Sequence, residues 1–297
     1  MILDSLQKMM ELADRRGCSM WQLVLETDME NRMIPEEASR ERMRQTWQAM
    51  VDASDHYDGK LRSLSGLVGG DGQRVRDYYK THRSIGGDFT TEVISEALAM
   101  GESNACMRRI VAAPTAGACG VLPAVLLPLW RKEHISEENI IEGLYLSAGI
   151  GSVLAARASI SGAAGGCQAE IGSASAMAAG TLAYLHGGSN SQICHAVAIA
   201  LKNLLGLICD PVAGLVEVPC VKRNVIGAMS AIAAADMALA GVESRVGVDE
   251  VIDAMGEVGR RLPVEFRETA LGGLADTPTG RAVKEQMQAQ RELEHHV

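Results

Sequence analysis

Three cysteines, Cys167, Cys209 and Cys220, are the residues whose type and surroundings suggest metal chemistry. Cys167 follows two glycines in the segment SISGAAGGCQAEIGSASAMAAG (159–180), so backbone amides can crowd near its sulfur. Cys209 and Cys220 stand at the ends of the segment CDPVAGLVEVPC, which two prolines stiffen. A zinc site usually needs four ligands, with cysteines paired as C-x₂₋₄-C, and the sequence contains no such pair.

Three thiolates without a fourth ligand suit an iron–sulfur cluster with one open iron, and an open iron can act as a Lewis acid. The alternative is three buried structural thiols, since free cysteine is among the most buried residue types. The gaps between the three cysteines match no general rule for metal ligands, so spacing alone favours the buried thiols.

The other four cysteines are expected to be bystanders, with Cys119 the least certain because it lies in the segment PTAGACG (114–120). The amides of that loop could hold a carboxylate, but it can equally be an ordinary loop that leads into a helix. The structural bystanders are Cys18, Cys106 and Cys194.

Further polar residues have two interpretations each. Cys220 is followed by three polar residues, Lys222, Arg223 and Asn224, which could bind a substrate carboxylate or form a solvated helix start. Because cations at a helix start oppose the helix dipole, carboxylate binding is mildly favoured. Lys202 interrupts an apolar helix and could form a Schiff base with pyridoxal phosphate, but a snorkelling role is favoured. The glycine-rich segment RSLSGLVGGDG (62–72) fits no nucleotide-binding motif.

The composition excludes several classes of protein. The chain has 297 residues, a net charge of −9 and no block of Lys and Arg, which argues against nucleic-acid binding. Three prolines interrupt the longest apolar stretch, 110–130, so we interpret it as a loop feeding a buried helix and expect no membrane span. Residues 1–17 lack the features of a signal peptide. We therefore expect a cytoplasmic protein whose seven cysteines form no disulfides.

Small residues and a scarcity of aromatics predict a mainly α fold, a compact multi-helix catalytic domain with glycine-rich active-site loops. Aromatic residues make up only 3% of the chain, and no segment alternates convincingly as a strand. The sequence predicts a polar helical region at 1–85, an apolar helical body at 86–285 and a tail at 286–297. These boundaries are approximate, and a single domain is the alternative. The ending LEHHV (293–297) resembles a remnant of a purification tag.

Local signals place the helices that must position these loops. Caps and periodicity predict the following: a helix from Pro35 to Tyr57, one from Thr91 to Arg109 capped by Thr90 or Thr91, one capped by Ser189 and stopped by Gly206, one from Asn224 to Ala240, one capped by Asp249 and ending near Arg261, and one from Thr279 to Glu294.

Five stretches carry a resemblance to a known family. They are SLSGLVGGDG (63–72), APTAGACGVLP (113–123), ASISGAAGGCQAEIGSASAMAAG (158–180), LKNLLGLICDPVAGLVEVPCVKRN (201–224) and RETALGGLADTPTGR (267–281). From about residue 1 to 285 the chain closely resembles the α chain of bacterial iron–sulfur-dependent L-serine dehydratase, so the helical fold is expected to be of that type.

The resemblance implies a [4Fe–4S] cluster, no pyridoxal phosphate, and the conversion of L-serine to pyruvate and ammonia, a step of serine catabolism that feeds gluconeogenesis. The implied cluster ligands are Cys167, Cys209 and Cys220, with the fourth iron left for substrate. The places of five residues in the matching motifs suggest a substrate pocket; they are Asn104, Thr115, Ser161, Lys222 and Asn224.

The resemblance also implies a partner. Single-chain members carry an additional domain with a serine-rich motif ending in His-Thr that is thought to supply an active-site histidine, and nothing in this sequence matches it. We therefore expect a separate β chain, a hetero-oligomer and a catalytic base on the partner. Some single-chain relatives cap the cluster with a C-terminal cysteine, but this sequence has no cysteine after Cys220.

Three other functions stay open from the sequence. A cysteine desulfidase or related β-eliminating lyase would use the same scaffold, and a pyridoxal-phosphate lyase is a weaker alternative. The non-enzyme alternative is a helical scaffold or regulatory subunit with buried thiols.

Overall fold

The structure, a computed structural model, describes residues 4–295. This part of the chain is built mainly from helices. Within that range there are thirteen α-helices: α1 (Leu6–Arg16), α2 (Met20–Arg32), α3 (Glu36–Asp55), α4 (Asp71–Tyr79), α5 (Gly87–Ala105), α6 (Val121–Lys132), α7 (Glu137–Arg157), α8 (Gly162–Gly165), α9 (Ser173–Leu185), α10 (Asn190–Asn203), α11 (Cys220–Leu239), α12 (Val248–Arg261) and α13 (Pro278–His295). The β-type pairing in the same range is one isolated parallel bridge, between Cys209 and Arg267. The predicted mainly α fold is confirmed.

Helix α9 forms the centre of the molecule. It packs against α7, α10 and α11, and its residues 173–183 are all buried. Most of these residues are Ala, Ser or Gly, which lets the neighbouring helices approach closely. At Gly180, for example, an added Cβ would lie 2.5 Å from Cδ1 of Ile150, so no larger residue fits without movement.

The N-terminal helices complete the same core. One continuous cluster of buried apolar residues runs from Leu6 in α1 to Met255 in α12. The indole rings of Trp47 in α3 and Trp130 in α6 meet edge to face, with centroids 5.6 Å apart. The predicted boundaries near residues 85 and 285 stay predictions. In the predicted tag remnant, residues 296–297 lie outside the described range, as do residues 1–3 of the segment tested for a signal peptide.

Helix α5 carries two buried carboxylates that tie the polar segment before it to the body. Glu96 accepts hydrogen bonds from the Ser54 hydroxyl at 2.8 Å and from the Arg76 guanidinium at 2.7 Å. Glu102 accepts one from the backbone amide of Asp71 at 2.6 Å and another from the hydroxyl of Tyr57. Because buried carboxylates are costly unless they are paired, these contacts fix the start of α4.

Several predicted helices are confirmed. Helix α3 lies within the predicted range 35–57, and α11 and α13 begin within four residues of their predicted starts. Helix α10 has Ser189 as its N-cap, with the Ser189 hydroxyl accepting from the amide of Gln192 at 3.3 Å. The apolar stretch 110–130 is a loop followed by the buried helix α6, as predicted.

Two predicted caps are wrong. Helix α5 begins at Gly87, so Thr90 and Thr91 lie inside it, and the Thr91 hydroxyl donates to the carbonyl of Gly87 at 3.0 Å. Helix α12 begins at Val248, with Gly247 as its N-cap. Asp249 lies in its first turn, and its carboxylate accepts from the amide of Leu6 at 2.9 Å, so it caps α1 instead.

Helix α7 is long and apolar enough to cross a membrane. However, 61% of its apolar window is buried inside the structure, where it packs against α9 and α2. A core helix shows the same length and composition, so this is weak evidence for a membrane span.

Candidate metal centre and active site

Cys167 lies at a sharp turn between α8 and a π-helical turn at Gln168–Gly172. The preceding Gly166 has φ +75° and ψ −178°, a conformation that glycine alone adopts easily. An added Cβ there would lie 2.6 Å from Cδ1 of Leu262. The turn directs Cys167 inward, where it is 2% exposed. Single π-turns of this kind are frequent at functional sites.

Cys209 is held by the backbone of a segment far along the chain. Its amide donates to the carbonyl of Phe266 at 2.8 Å, and its carbonyl accepts from the amide of Glu268 at 2.8 Å. These bonds form the isolated bridge and place Glu268 beside Cys209.

Cys220 is the first residue of α11 and is buried. The segment between the two cysteines closes on itself, since the amide of Val212 donates to the carbonyl of Val218 at 2.8 Å. The predicted loop at 209–220 is therefore an ordered turn that holds Cys209 and Cys220 at its two ends.

The pKa values of Cys209 and Cys220 depend on neighbouring thiols, which places the three cysteines near one another. Burial, followed by the negative charge of Cys167 and Cys220, raises the pKa of Cys209. Burial and then Cys167 raise the pKa of Cys220 to about 12. Burial raises the pKa of Cys167 to about 11, against the opposing effect of Arg223. Burial disfavours the thiolate form of all three cysteines, and a bound cation would stabilise it.

The described side chains form no site for a single metal ion. Among residues 4–290 and 292, no three or more His, Cys, Asp or Glu side chains are grouped closely enough to hold one ion. The ligands of iron–sulfur clusters are usually cysteine thiolates, and the buried Cys167, Cys209 and Cys220 are donors of that type.

Arg223 supports the centre from α11. Its guanidinium donates to the carbonyl of Ile208 at 2.7 Å and to the carboxylate of Asp210 at 2.8 Å. The other oxygen of Asp210 accepts from the amide of Leu274 at 2.9 Å. Arg223 also lies close enough to Cys167 to favour its thiolate. Through these contacts Arg223 and Asp210, a largely buried ion pair, join α11 and the residues on both sides of Cys209 to the segment after residue 272.

Sequence reasoning missed two carboxylates beside the cysteines. A Cβ added at Gly162 would meet three atoms: Oε2 of Glu170 at 2.9 Å, Sγ of Cys209 at 3.1 Å and Oε2 of Glu268 at 3.2 Å. Glu170 comes from the π-helical turn and Glu268 from the segment paired with Cys209. The sequence did carry a signal for Glu170, since it is the single charged residue of the segment 158–180.

Two of the five predicted substrate residues lie next to Glu170 or to Gly162. The Thr115 hydroxyl is buried beside the Glu170 carboxyl but makes no well-aligned hydrogen bond. Burial raises the pKa of the Glu170 carboxyl, and the Thr115 hydroxyl opposes this effect. Ser161 precedes Gly162 at the N-cap of α8 and is exposed.

The other three predicted residues have different surroundings. Asn224 is buried, and its amide group accepts from the amide of Gly120 at 2.8 Å and donates to the carbonyl of Gly117 at 2.9 Å. It therefore fixes the loop that carries Thr115. The Lys222 side chain is exposed and its Nζ lies 3.4 Å from the Asp71 carboxylate. Asn104 lies in the last turn of α5.

The remaining candidates have structural surroundings. The buried Cys119 thiol donates to the carbonyl of Met100 at 3.6 Å, and burial raises its pKa to about 12. All seven cysteines are free thiols. Nζ of Lys202 donates to the carbonyl of Ser244, and the amide of Ser244 donates to His195 at 3.3 Å. Lys202 is thus engaged with the backbone of a neighbouring loop.

Over the described residues, the fold is mainly helical, and three buried thiols lie near the carboxylates of Glu170 and Glu268. Comparison with known proteins identifies the class further. A family described as "Serine dehydratase alpha chain" matches residues 15–275, and the chain belongs to this family. The resemblance drawn from the five sequence stretches is confirmed.

Curated relatives agree with the family. The chain is 41% identical over 288 residues to the "L-serine dehydratase, alpha chain" of Peptoniphilus asaccharolyticus, covering 95% of this chain and 97% of the relative. It is 51% identical over 227 residues to the "Probable L-serine dehydratase, alpha chain" of Bacillus subtilis (strain 168), covering 76% of each. It is 49% identical over 183 residues to "L-serine dehydratase 2" of Escherichia coli (strain K12), covering 60% of this chain and 40% of that longer protein.

Proposed function

We propose that this protein is the α subunit of an iron–sulfur-dependent L-serine dehydratase, a lyase that converts L-serine to pyruvate and ammonia. One observation carries the proposal: in a chain of this family, Cys167, Cys209 and Cys220 are all buried, and Cys167 and Cys220 lie near enough to Cys209 to influence its ionisation. The names of the relatives support the substrate, and the donor set supports the cofactor.

The difficulty of the reaction is the departure of hydroxide from the β-carbon of serine. A [4Fe–4S] cluster with one open iron supplies a Lewis acid for that hydroxyl. In this chain the three cysteines would hold the cluster, and the guanidinium of Arg223 would offset negative charge at Cys167. Asn224 fixes the loop that carries Thr115, whose hydroxyl lies beside the Glu170 carboxyl. Loss of the α-proton gives aminoacrylate, which tautomerises to an imine and hydrolyses.

A β chain is the proposed partner, and a hetero-oligomer the proposed assembly. Two relatives carry "alpha chain" in their names, which supports a second subunit. The sequence has no match to the serine-rich motif that ends in His-Thr in single-chain members, so the base is assigned to the partner. The proposed location is the cytoplasm.

The test begins with iron and sulfide analysis after anaerobic purification and loading. We expect about four irons per chain in the wild type and a loss of iron in Cys167→Ala, Cys209→Ala and Cys220→Ala. Cys194→Ala is the matched control, because Cys194 is a buried cysteine of α10 whose charged neighbours are Asp249 and Asp14. Full iron retention by all three variants would contradict the cluster assignment.

Turnover assays separate the remaining functions. The loaded chain is assayed with its β chain, and separately alone, on L-serine and L-cysteine. We expect serine activity that needs both chains and is lost in air. Preference for cysteine would favour a desulfidase, and inhibition by aldehyde-trapping reagents would favour a pyridoxal-phosphate enzyme. A chain that binds no iron would favour the scaffold role.

A further inference from the structure

The guanidinium of Arg223 is connected to the chain segments of all three site cysteines. It donates to the carbonyl of Ile208 at 2.7 Å and to the Asp210 carboxylate at 2.8 Å, so it contacts the residues on both sides of Cys209. Arg223 also follows Cys220 by three residues in α11, and residues with this spacing are neighbours on a helix surface. Two of the three cysteine segments are thus tied to this side chain.

Arg223 acts on the third cysteine, Cys167, directly. Burial raises the pKa of Cys167 to about 11, whereas the positive charge of Arg223 and a hydrogen bond from it act in the opposite direction. The same charge opposes the effect of burial on the pKa of Cys220. A planar guanidinium carries five N–H donors, enough to contact a carbonyl, a carboxylate and a sulfur at once. Arg223 is therefore suited to serve several partners around the thiols.

Carboxylates beside the cysteines oppose the charge of Arg223. Burial is the largest cause of the raised pKa of all three thiols, and the negative charge of Glu170 adds to it in each case. Glu268 has the same effect on Cys209. The reduction potential of an iron–sulfur cluster depends on net charge and on hydrogen bonds to its sulfurs. A cation beside the ligands therefore favours the thiolates and the reduced, more negative form of a bound cluster.

We propose that Arg223 is a positioning residue for the cluster, which orients the segments of Cys167, Cys209 and Cys220 and offsets the negative charge of their thiolates. The inference rests on the proposed function, because it needs a cluster held by these cysteines. Asp210 supports Arg223, since its other carboxylate oxygen accepts from the amide of Leu274 at 2.9 Å and so fixes the partner of the guanidinium. Arg223 then slows the loss of iron and raises the reduction potential of the cluster.

The test measures two properties of the anaerobically loaded full chain that do not depend on turnover. One is the reduction potential, from a titration followed by electron paramagnetic resonance, and the other is the rate of iron loss to a chelator. Arg223→Lys keeps the charge without the forked geometry. The double variant Arg223→Gln with Asp210→Asn removes both charges, so no buried carboxylate is left unpaired. The matched control is Arg76→Gln with Glu96→Gln, which removes another ion pair with a buried carboxylate.

We expect the double variant at 210 and 223 to have a more negative reduction potential and to lose iron at least about tenfold faster than the wild type. Arg223→Lys should keep a potential near that of the wild type but lose iron faster, because an ammonium cannot reproduce the forked contacts. The control pair should lower the stability in urea and leave both cluster properties unchanged.

An unchanged potential and rate of iron loss in the double variant, or an equal change in the control pair, would overturn the inference. If the double variant fails to fold or to load, Arg223→Lys decides the question. A potential near that of the wild type with faster iron loss then supports the inference, and iron retention equal to the wild type overturns it. A wild-type chain that holds iron but shows either adverse result would leave the proposed function standing, whereas a wild-type chain that binds no iron would contradict both.

Discussion

The buried carboxylate of Glu217 accepts a 2.6 Å hydrogen bond from the buried hydroxyl of Ser63. Glu217 belongs to the turn between Cys209 and Cys220, and Ser63 begins the glycine-rich segment 63–72. The same carboxylate also accepts from the hydroxyl of Ser65. One side chain thus joins two motifs that are far apart in the sequence.

Replacing Glu217 by Ala should therefore loosen the segment 63–68. Two serine hydroxyls would lose their acceptor, and we expect the free energy of unfolding to fall by about 2 to 3 kcal/mol. Urea titration followed by far-ultraviolet circular dichroism measures this. Trypsin provides a local readout, since the exposed Arg62 immediately precedes Ser63 and cleavage there should accelerate. In the exposed control Glu265→Ala both values should stay near wild type; an equal effect in the control would refute the prediction.

Asn224 should prove important for stability even without metal or substrate. Its side chain bonds to Gly120, Gly117 and the carbonyl of Cys220, the last at 3.0 Å. We expect Asn224→Ala to cost about 2 to 4 kcal/mol in thermal or urea unfolding of the metal-free chain. Asn224→Asp should cost a similar amount, because a carboxylate cannot donate to the two carbonyls.

The control for this position is Asn203→Ala at an exposed site in α10. It should change stability by less than about 0.5 kcal/mol. If Asn224→Ala left the unfolding of the metal-free chain unchanged while weakening serine binding, the residue would be a substrate ligand only.

Gly162→Ala should impair the centre while leaving the fold intact. The new Cβ would crowd Glu170 and the Cys209 sulfur, yet alanine is favoured over glycine inside a helix. We expect the variant to unfold at nearly the wild-type urea concentration but to retain less than about half of the wild-type iron. The matched control is Gly172→Ala, whose Cβ would have no neighbour closer than 3.8 Å. Full iron retention in Gly162→Ala would show that the contacts of the new Cβ with Glu170 and Cys209 do not disturb the centre.

Thiol alkylation should separate the cysteines by burial and pKa. Thiolate is the reactive form, and burial raises the pKa of Cys119 and of Cys194 to about 12. At pH 8 both should resist iodoacetamide in the folded chain, and their labelling rates should rise about tenfold per pH unit above that. The half-buried Cys18 should label first. Mass spectrometry after timed quenching measures the order, and rapid labelling of Cys119 in the folded chain would be the adverse result.

Removal of metal should mobilise the turn between the two cysteines. A segment ordered by metal ligands loses order with the metal, so amide exchange in residues 210–219 should be faster in the metal-free chain. Helix α9, which is buried throughout residues 173–183, is the internal control and should exchange equally slowly in both forms. Identical exchange of the turn with and without iron would show that the backbone bonds around Val212 and Val218 suffice to order it.

Features with local causes could be predicted from the sequence. The Ser189 cap of α10 works through its neighbour Gln192, so a few residues determine it. The cap assigned to Asp249 was wrong because its carboxylate instead bonds to Leu6, at the other end of the sequence. No local pattern reveals such a tertiary partner.

The candidate site also depends on tertiary partners that no local pattern reveals. Spacing alone did not identify the cysteines as ligands, and their nomination came from the resemblance to a family. Glu170 and Glu268 were missed because their meeting point depends on the pairing of Cys209 with the segment 266–268. Lys222 was nominated from its place beside Cys220, but the first turn of α11 directs its side chain toward Asp71.

The pairing between Cys209 and Arg267 also sets an order of events during biosynthesis. A chain leaves the ribosome from its N-terminus, so all three cysteines emerge before the segment that anchors Cys209. Until residues 266–268 have emerged, that backbone partner and Glu268 are missing from the site. The proposed cluster site is therefore complete only after residues 266–268 have emerged, and a cluster inserted earlier would meet Cys209 without its backbone partner.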